Sequence, residues 1–451
     1  MGAASSSPRR QNARSQFRCI ECGAVYPLDE VRYRCDCGDL LDVITDIASF
    51  GAALRAAWTK PEASSRKPPA AATAAAWKAH WAHQRHEVAF LRYKDLLLPD
   101  LPDAAVVSLR EGDTPLYPAS ERVRAYCGVH ELWLKHEGMN PTLSFKDRGM
   151  VAGVSWAKHL GARRVICAST GDTSAAMAAY AARAGIPSAV LLPHGKVSAE
   201  QLTQAITYGA RVVEIETDFD GCMRLVQELA QDPRVYLLNS MNSIRIEGQK
   251  AIGIEALDQL GWRVPDYFAV PVGNAGNLSA LGKGLRELRE IGVIDRLPRL
   301  VGAQAERANP LYTSFLGGFA PLEPVTAGET VASAMRIGNP VSFKKAVREL
   351  KASNGLVEQV SEEEIMDARA VVDQSGIAIC PNSATAVAAV RKLRIRGVIE
   401  EGASVVVMLT GHGAKFSESA RRYHESSTSS FANRPVVVEA DLGAVRKALG
   451  L

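Results

Sequence analysis

The run Asn140-Pro141-Thr142-Leu143-Ser144-Phe145-Lys146-Asp147-Arg148-Gly149 sets a nucleophilic amine where a polar loop gives way to the apolar-periodic stretch Met150 to Val154. Lys146 is therefore expected to project from the first turn of a helix. The positive end of the helix dipole and partial burial both disfavour an ammonium ion, and a neutral amine can form a Schiff base with a carbonyl group. By itself, Ser144-x-Lys146 also reads as an ordinary solvated helix start, so the weight falls on the other motifs.

One of these is Gly273-Asn274-Ala275-Gly276-Asn277, which follows the apolar run Phe268 to Val272 and precedes a helix from about Leu278. Glycines directly after a buried strand let backbone N–H groups and a helix N-terminus surround a phosphate without Cβ obstruction. A second is Thr410-Gly411-His412-Gly413, at the carboxyl end of the apolar run Val405 to Leu409; in so glycine-rich a turn His412 is expected to be structural. A third runs from Asn239 and Ser240 to Arg245. Amide and hydroxyl donors with a guanidinium suit a dianion at the mouth of a helix, while a capped helix with a surface Arg245–Glu247 pair is the bland alternative.

Four of the eight cysteines fall in two close pairs, Cys19 with Cys22 and Cys35 with Cys37, separated by twelve residues. That spacing follows the logic of a zinc ribbon, although Cys-x-Cys gives the second pair a tighter bite; reduced thiols left from an ancestral ribbon are the alternative. Four thiolates would leave no open position, so such a metal would be structural. Cys127, Cys167, Cys222 and Cys380 lie in apolar or helical surroundings and are expected to be reduced thiols. His80, His83 and His86 recur every third residue with no evident fourth ligand, which points to a solvated helix face.

In their order, these motifs and the phrase Glu111-Gly112-Asp113-Thr114-Pro115-Leu116 resemble the threonine synthases, in the group of pyridoxal-phosphate enzymes built like the tryptophan synthase β chain. The resemblance runs from about Phe17 to the C-terminus. It implies that Lys146 holds pyridoxal 5'-phosphate, that Gly273, Asn274, Ala275, Gly276 and Asn277 cup its phosphate, and that Thr410 turns a hydroxyl to its pyridine nitrogen. Asp172 stands in Ser169-Thr170-Gly171-Asp172-Thr173 where many members have an asparagine facing the cofactor's phenolic oxygen. A carboxylate beside a phenolate is repulsive, so Asp172 should hold a proton or turn aside. Thr173, Asn239, Ser240 and Arg245 are implied to bind the substrate. The implied reaction turns O-phospho-L-homoserine and water into L-threonine and phosphate, in a homodimer. A cysteate-synthase-like or threonine-dehydratase-like activity on the same machinery is an alternative, as is a zinc-ribbon binding module on an inert fold.

The elements that must position these residues alternate as strand, polar loop and helix: Val165 to Ala168, Ala189 to Leu192, Val212 to Ile215 and Tyr236 to Leu238, each ahead of a helix. Such alternation specifies an α/β fold with parallel sheets and ligands at the strands' carboxyl ends. Val107 to Arg110 is expected to be a strand before a turn, and Leu132 to Lys135 a strand feeding the Lys146 loop. A chain of 451 residues, 47 % hydrophobic and 23 % charged with a net charge of +4, suggests a multi-lobed cytoplasmic protein. It gives little support to nucleic-acid binding and no run long enough to span a membrane. The expected organisation is a disordered tail at 1–16, the ribbon-like segment at 17–44, a linker with wrapping helices at 45–105, a catalytic body at 106–430 with a smaller lobe at about 150–245 inserted in it, and an extension at 431–451.

Overall fold

The computed structural model describes residues 14–47, 70–84, 87–169, 171–194 and 199–451. Strands β1 (Ser15–Cys19), β2 (Val25–Pro27) and β3 (Leu41–Thr45) form an antiparallel sheet in the order β2-β1-β3. Ser15 and Gln16 pair with Thr45 and Ile44, so order begins inside the stretch expected to be a disordered tail. The Asp100 carboxylate holds this end down, accepting from the backbone N–H groups of Arg14 and Ser15 at 2.9 and 2.7 Å. The rest of that tail, and Lys67-Pro68-Pro69 of the expected linker, lie outside the described residues.

β4 (Leu116–Pro118) and β5 (Glu131–His136) open a larger sheet. β6 (Arg164–Ala168), β7 (Ser188–Pro193), β8 (Arg211–Ile215) and β9 (Val235–Leu237) form another, all parallel, in the order β8-β7-β6-β9. β10 (Tyr267–Pro271), β11 (Arg299–Ala305), β12 (Leu356–Val360) and β13 (Ser404–Leu409) return to the first, whose order is β12-β11-β10-β13-β5-β4, parallel except where β4 meets β5. Every residue of β10 and β13 is buried, as strands covered on both faces require, and this is why they read as continuous apolar runs. The order sets the carboxyl ends of β5, β13 and β10 side by side. Those three ends carry the Lys146 loop, the Thr410 turn and the Gly273 cup.

Two local expectations are corrected. Val107 to Arg110 is not a strand: Arg110, Gly112 and Asp113 all have positive φ (66°, 95° and 48°), and the strand, β4, begins at Leu116, the last residue of the phrase. A Cβ on Gly112 would collide with that of Ala89 and come within 2.8 Å of the Arg148 guanidinium, so the turn requires glycine. His80 is not on a solvated face. It lies 3.1 Å from the Asp95 carboxylate, on a helix (Ala70–His83) anchored by the fully buried Trp77 and Trp81, the latter stacked on Trp262 at 5.2 Å. His83 is exposed, and His86 lies outside the described residues.

The cysteine-bearing sheet is fastened to the body by polar contacts. The Leu41 carbonyl accepts from Lys345 at 2.6 Å and from the Ser243 hydroxyl, Asp42 pairs with Lys345 and Arg348, and the Tyr33 hydroxyl accepts from the Leu237 N–H at 2.7 Å.

Candidate active site

Lys146 is the first residue of the helix Lys146–His159, and the loop ahead of it is fixed on two sides. Asn140 accepts from Gly112 N–H at 2.9 Å and donates to the Glu137 carboxylate at 2.9 Å, while the Asp147 carboxylate accepts from Thr142 N–H at 2.7 Å. On the other side the loop lies against the Thr410 turn: Phe145 N–H donates to the Thr410 carbonyl at 2.9 Å and His412 N–H to the Leu143 carbonyl at 3.1 Å. Leu143 adopts φ 64°, a strained conformation for a branched residue, held by these flanking bonds. The half-buried Lys146 amine sits 4.2 Å from the Phe145 ring centroid. Burial, with the Arg245 guanidinium adding repulsion against the pull of Asp172, brings its pKa down to about 7. The causes of this lowering are burial and a second cation, where the sequence suggested burial and the helix dipole.

Behind the loop, two cations and two anions share a buried cluster. Arg148 bridges Glu137 at 2.8 Å and Glu255 at 2.7 Å, and Lys135 donates to Glu255 at 2.5 Å. The two anions face two cations; Glu255 is kept far below the ordinary carboxylate range by Arg148 and Lys135 despite its burial, while burial pulls the Lys135 ammonium down.

The glycine cup is a ring of free donors. Among the described residues, no backbone N–H from Gly273 to Leu278 donates to a protein acceptor, and the cup opens the helix Gly276–Glu290, whose dipole favours an anion there. A Cβ on Gly273 would lie 2.8 Å from the Ala334 carbonyl oxygen. The Asn277 side chain donates back to the Pro271 carbonyl at 2.6 Å and holds the loop's shape. Thr410, 5 % exposed, has the Ser383 hydroxyl 3.3 Å from its own. Asp172 begins the helix Asp172–Ala184 and is ion-paired with Lys415 at 2.9 Å. Lys415 therefore answers the charge problem that Asp172 poses. Thr170 lies outside the described residues. His412 accepts from Ala414 N–H at 3.0 Å and stacks on His136 with centroids 5.8 Å apart, a structural placement.

The expected substrate residues divide. Asn239 directs its whole amide group elsewhere: its oxygen accepts from Ala168 N–H at 2.9 Å, and its nitrogen donates to the Ala168 carbonyl at 2.7 Å and to the Met223 sulfur at 3.3 Å. It has no donor left for a ligand and instead ties β6 to the start of this segment. Ser240 is half-buried, Thr173 is buried in the first turn of its helix, and neither side chain has a protein partner among the described residues. Arg245 is not the surface residue of the bland alternative. It is 2 % exposed, packs on Gly149 and Gly153 of the Lys146 helix, donates to the Leu238 carbonyl at 3.0 Å, and has an Nε with no partner and no acidic group opposite it among the described residues. Burial brings its pKa down to about 10. Sequence reasoning missed Lys415, Ser383 and Cys380, which come to the site from more distant elements; only the Pro381-Asn382-Ser383 helix start, with Cys380 as its cap, leaves a local trace.

The model of the family described as pyridoxal-phosphate dependent enzyme matches residues 107–411. A threonine synthase of Methanocaldococcus jannaschii is 41 % identical over 433 residues, 96 % of this chain and 98 % of that protein. Threonine synthase 2, chloroplastic, of Arabidopsis thaliana is 44 % identical over 434 residues, 94 % of this chain and 82 % of that protein. In fold, the crystal structure of threonine synthase from Escherichia coli superimposes with a TM-score of 0.62 at 21 % identity, covering 89 % of this chain and 96 % of that one. The reading as a binding module on an inert fold is thereby set aside. With identity at this level over nearly its whole length, and with the amine, cup and hydroxyl brought to one end of one sheet, the chain belongs to the threonine synthases, pyridoxal-phosphate-dependent lyases.

Proposed function

We propose that the chain converts O-phospho-L-homoserine and water into L-threonine and phosphate, with Lys146 as its catalytic residue and Arg245 as its anchor for the substrate phosphate. The observation that carries the substrate is Arg245: a buried guanidinium without a counter-ion, beside the Lys146 helix, is costly unless an anion completes it. The residues present fit pyridoxal phosphate. The Gly273–Asn277 donors suit its phosphate group, the Lys146 amine its aldehyde, and the Thr410 hydroxyl its ring nitrogen. When bound, the cofactor supplies an electron sink for charge developing on substrate carbon.

Within that frame Arg245 fixes the leaving phosphate at Cγ. The Lys146 amine, poised near neutrality, takes a proton from one substrate carbon and returns it to another. Water adds at Cβ after phosphate has left. Thr173 and Ser240 supply the remaining donors, Lys415 neutralises Asp172, and Asn239 acts by positioning the segment. Incubation with O-phospho-L-homoserine should release phosphate, while O-phosphoserine and threonine should be poor substrates. Turnover of O-phosphoserine would point to the cysteate-synthase-like alternative, and 2-oxobutyrate from threonine to the dehydratase.

We further propose one structural zinc ion per chain, at Cys19, Cys22, Cys35 and Cys37. Their sulfur atoms all lie within 4.8 Å of one another. The Tyr26 hydroxyl lies 3.1 Å from the Cys35 sulfur, a polar neighbour at the edge of the cluster. Elemental analysis should find about one zinc per chain. Cys35→Ser should lower the melting temperature more than the kcat of the folded fraction, because the metal would be remote from the chemistry and its binding energy is folding energy. A metal-free protein would reduce the cluster to ordinary thiols. A homodimer in the cytoplasm completes the proposal; among the described residues no helix is long and apolar enough to cross a membrane.

A further inference from the structure

Asp172 and Lys415 reach each other from different sheets. Asp172 opens the helix that follows β6, and Lys415 lies in the short turn Gly413–Phe416 that follows β13, so their 2.9 Å ion pair joins the carboxyl ends of the two sheets. The second Asp172 oxygen faces the Thr410 turn, 3.7 Å from where Gly411 would carry a Cβ. Both side chains are only 15 % exposed, a setting in which solvent ions screen a charge far less than on an open surface. Two charges act on the nearby Lys146 amine: the Arg245 guanidinium, which disfavours a proton there, and the Asp172 carboxylate, which favours one. Without a partner, that carboxylate would pull Lys146 toward its protonated form, which cannot take a proton from carbon. We infer that Lys415 is a positioning residue for Lys146: its ammonium engages Asp172 from the opposite sheet, offsets the pull of that carboxylate on the amine, and so keeps the amine free to accept a proton.

This rests on Lys146 as the proton-transferring group and deepens that reading by naming what balances its surroundings. A second carboxyl group lies within the influence of Lys415. Asp147, next to Lys146 on the same helix, has its oxygens engaged by the Thr142 N–H at 2.7 Å and by the Thr142 hydroxyl. Burial pushes its pKa up to about 7, with the Thr142 bonds and Lys415 opposing. Asp147 is therefore a competing route by which Lys415 could alter the pH dependence, and a route through Asp147 does not depend on Asp172.

The test follows two midpoints between pH 6 and 9: that of kcat in the holoenzyme, and that of the rate at which cofactor-stripped full-length protein takes up pyridoxal phosphate, a step that consumes the neutral amine. Lys415→Met should move both midpoints up by about one pH unit, which at pH 7 is roughly a fivefold lower kcat, with KM for O-phosphohomoserine within about twofold because Arg245 is untouched. Asp172→Asn removes the pull and leaves the Lys415 charge, so both midpoints should move down by a similar amount. The double variant Asp172→Asn with Lys415→Met should return them to the wild-type values, and Lys415→Arg should leave them there. A midpoint does not depend on the fraction of protein that folds, so folding losses do not mimic these opposite shifts. Unmoved midpoints in both single variants would overturn the inference. So would a double variant shifted as far as Lys415→Met alone, which would assign the effect to Asp147. Should the wild type neither take up pyridoxal phosphate nor release phosphate from O-phosphohomoserine, the reading of Lys146 fails instead.

Discussion

Lys146→Ala is expected to cut turnover of O-phospho-L-homoserine by at least about a hundredfold and up to about ten-thousandfold, the span that one positioned proton-transfer group contributes. Steady-state phosphate release would measure it. The same variant should not lose stability. The folded-state pKa of Lys146 is about 7, whereas an unfolded lysine titrates near 10.4. Between these values the unfolded chain binds the extra proton, so this residue's contribution to stability improves as pH rises through that window. Its penalty is fully present below about pH 7 and gone above about pH 10. Removing the amine removes the penalty, so cofactor-free Lys146→Ala should melt no lower than cofactor-free wild type at pH 7, in differential scanning calorimetry. Loss of turnover together with a large drop in melting temperature would instead make Lys146 a structural residue.

Arg245→Lys and Arg245→Met come next in size. A guanidinium matches phosphate with two parallel N–H bonds while an ammonium offers a point charge, so even the charge-conserving change should lower kcat/KM. A lost charge-assisted bond costs roughly 1.5–3 kcal/mol, about ten- to hundredfold if the contact persists in the transition state. The contact between Arg245 and the Leu238 carbonyl already orients the fork, which is why lysine should not rescue it. Arg245→Met should raise the stability of the unliganded protein, because the guanidinium is buried without a counter-ion. It should also let the Lys146 pKa climb from about 7, since one of its two depressing influences is gone. Near-normal kcat/KM in both variants would move the phosphate pocket elsewhere.

What the sequence made legible was local. The Lys146 loop, the glycine cup and the Thr410 turn each lie within one strand-to-helix connection, where backbone requirements impose residue type at fixed spacing: glycine where N–H groups must approach an anion, apolar runs where a strand is covered on both faces. The pairings that finish the site leave no such trace. Lys415 meets Asp172 across 243 residues and Ser383 meets Thr410 across 27, while Arg148 meets Glu255 across 107. No periodicity records which distant carboxylate a lysine will find. Asn239 illustrates the limit from the other side. An amide in a polar segment is equally suited to a ligand or to a peptide bond, and only the approach of β6 gives it to Ala168. For Arg245, helical spacing alone allowed a surface ion pair; the glycines at 149 and 153, which let one helix close on another, are what bury it.

The most direct test is the stoichiometry of the reaction run in heavy-oxygen water. Purified enzyme given O-phospho-L-homoserine and pyridoxal phosphate should yield phosphate and L-threonine one to one, with a single labelled oxygen in the threonine hydroxyl and none in the phosphate. Labelled phosphate with homoserine as the product, or phosphate release without threonine, would contradict the account.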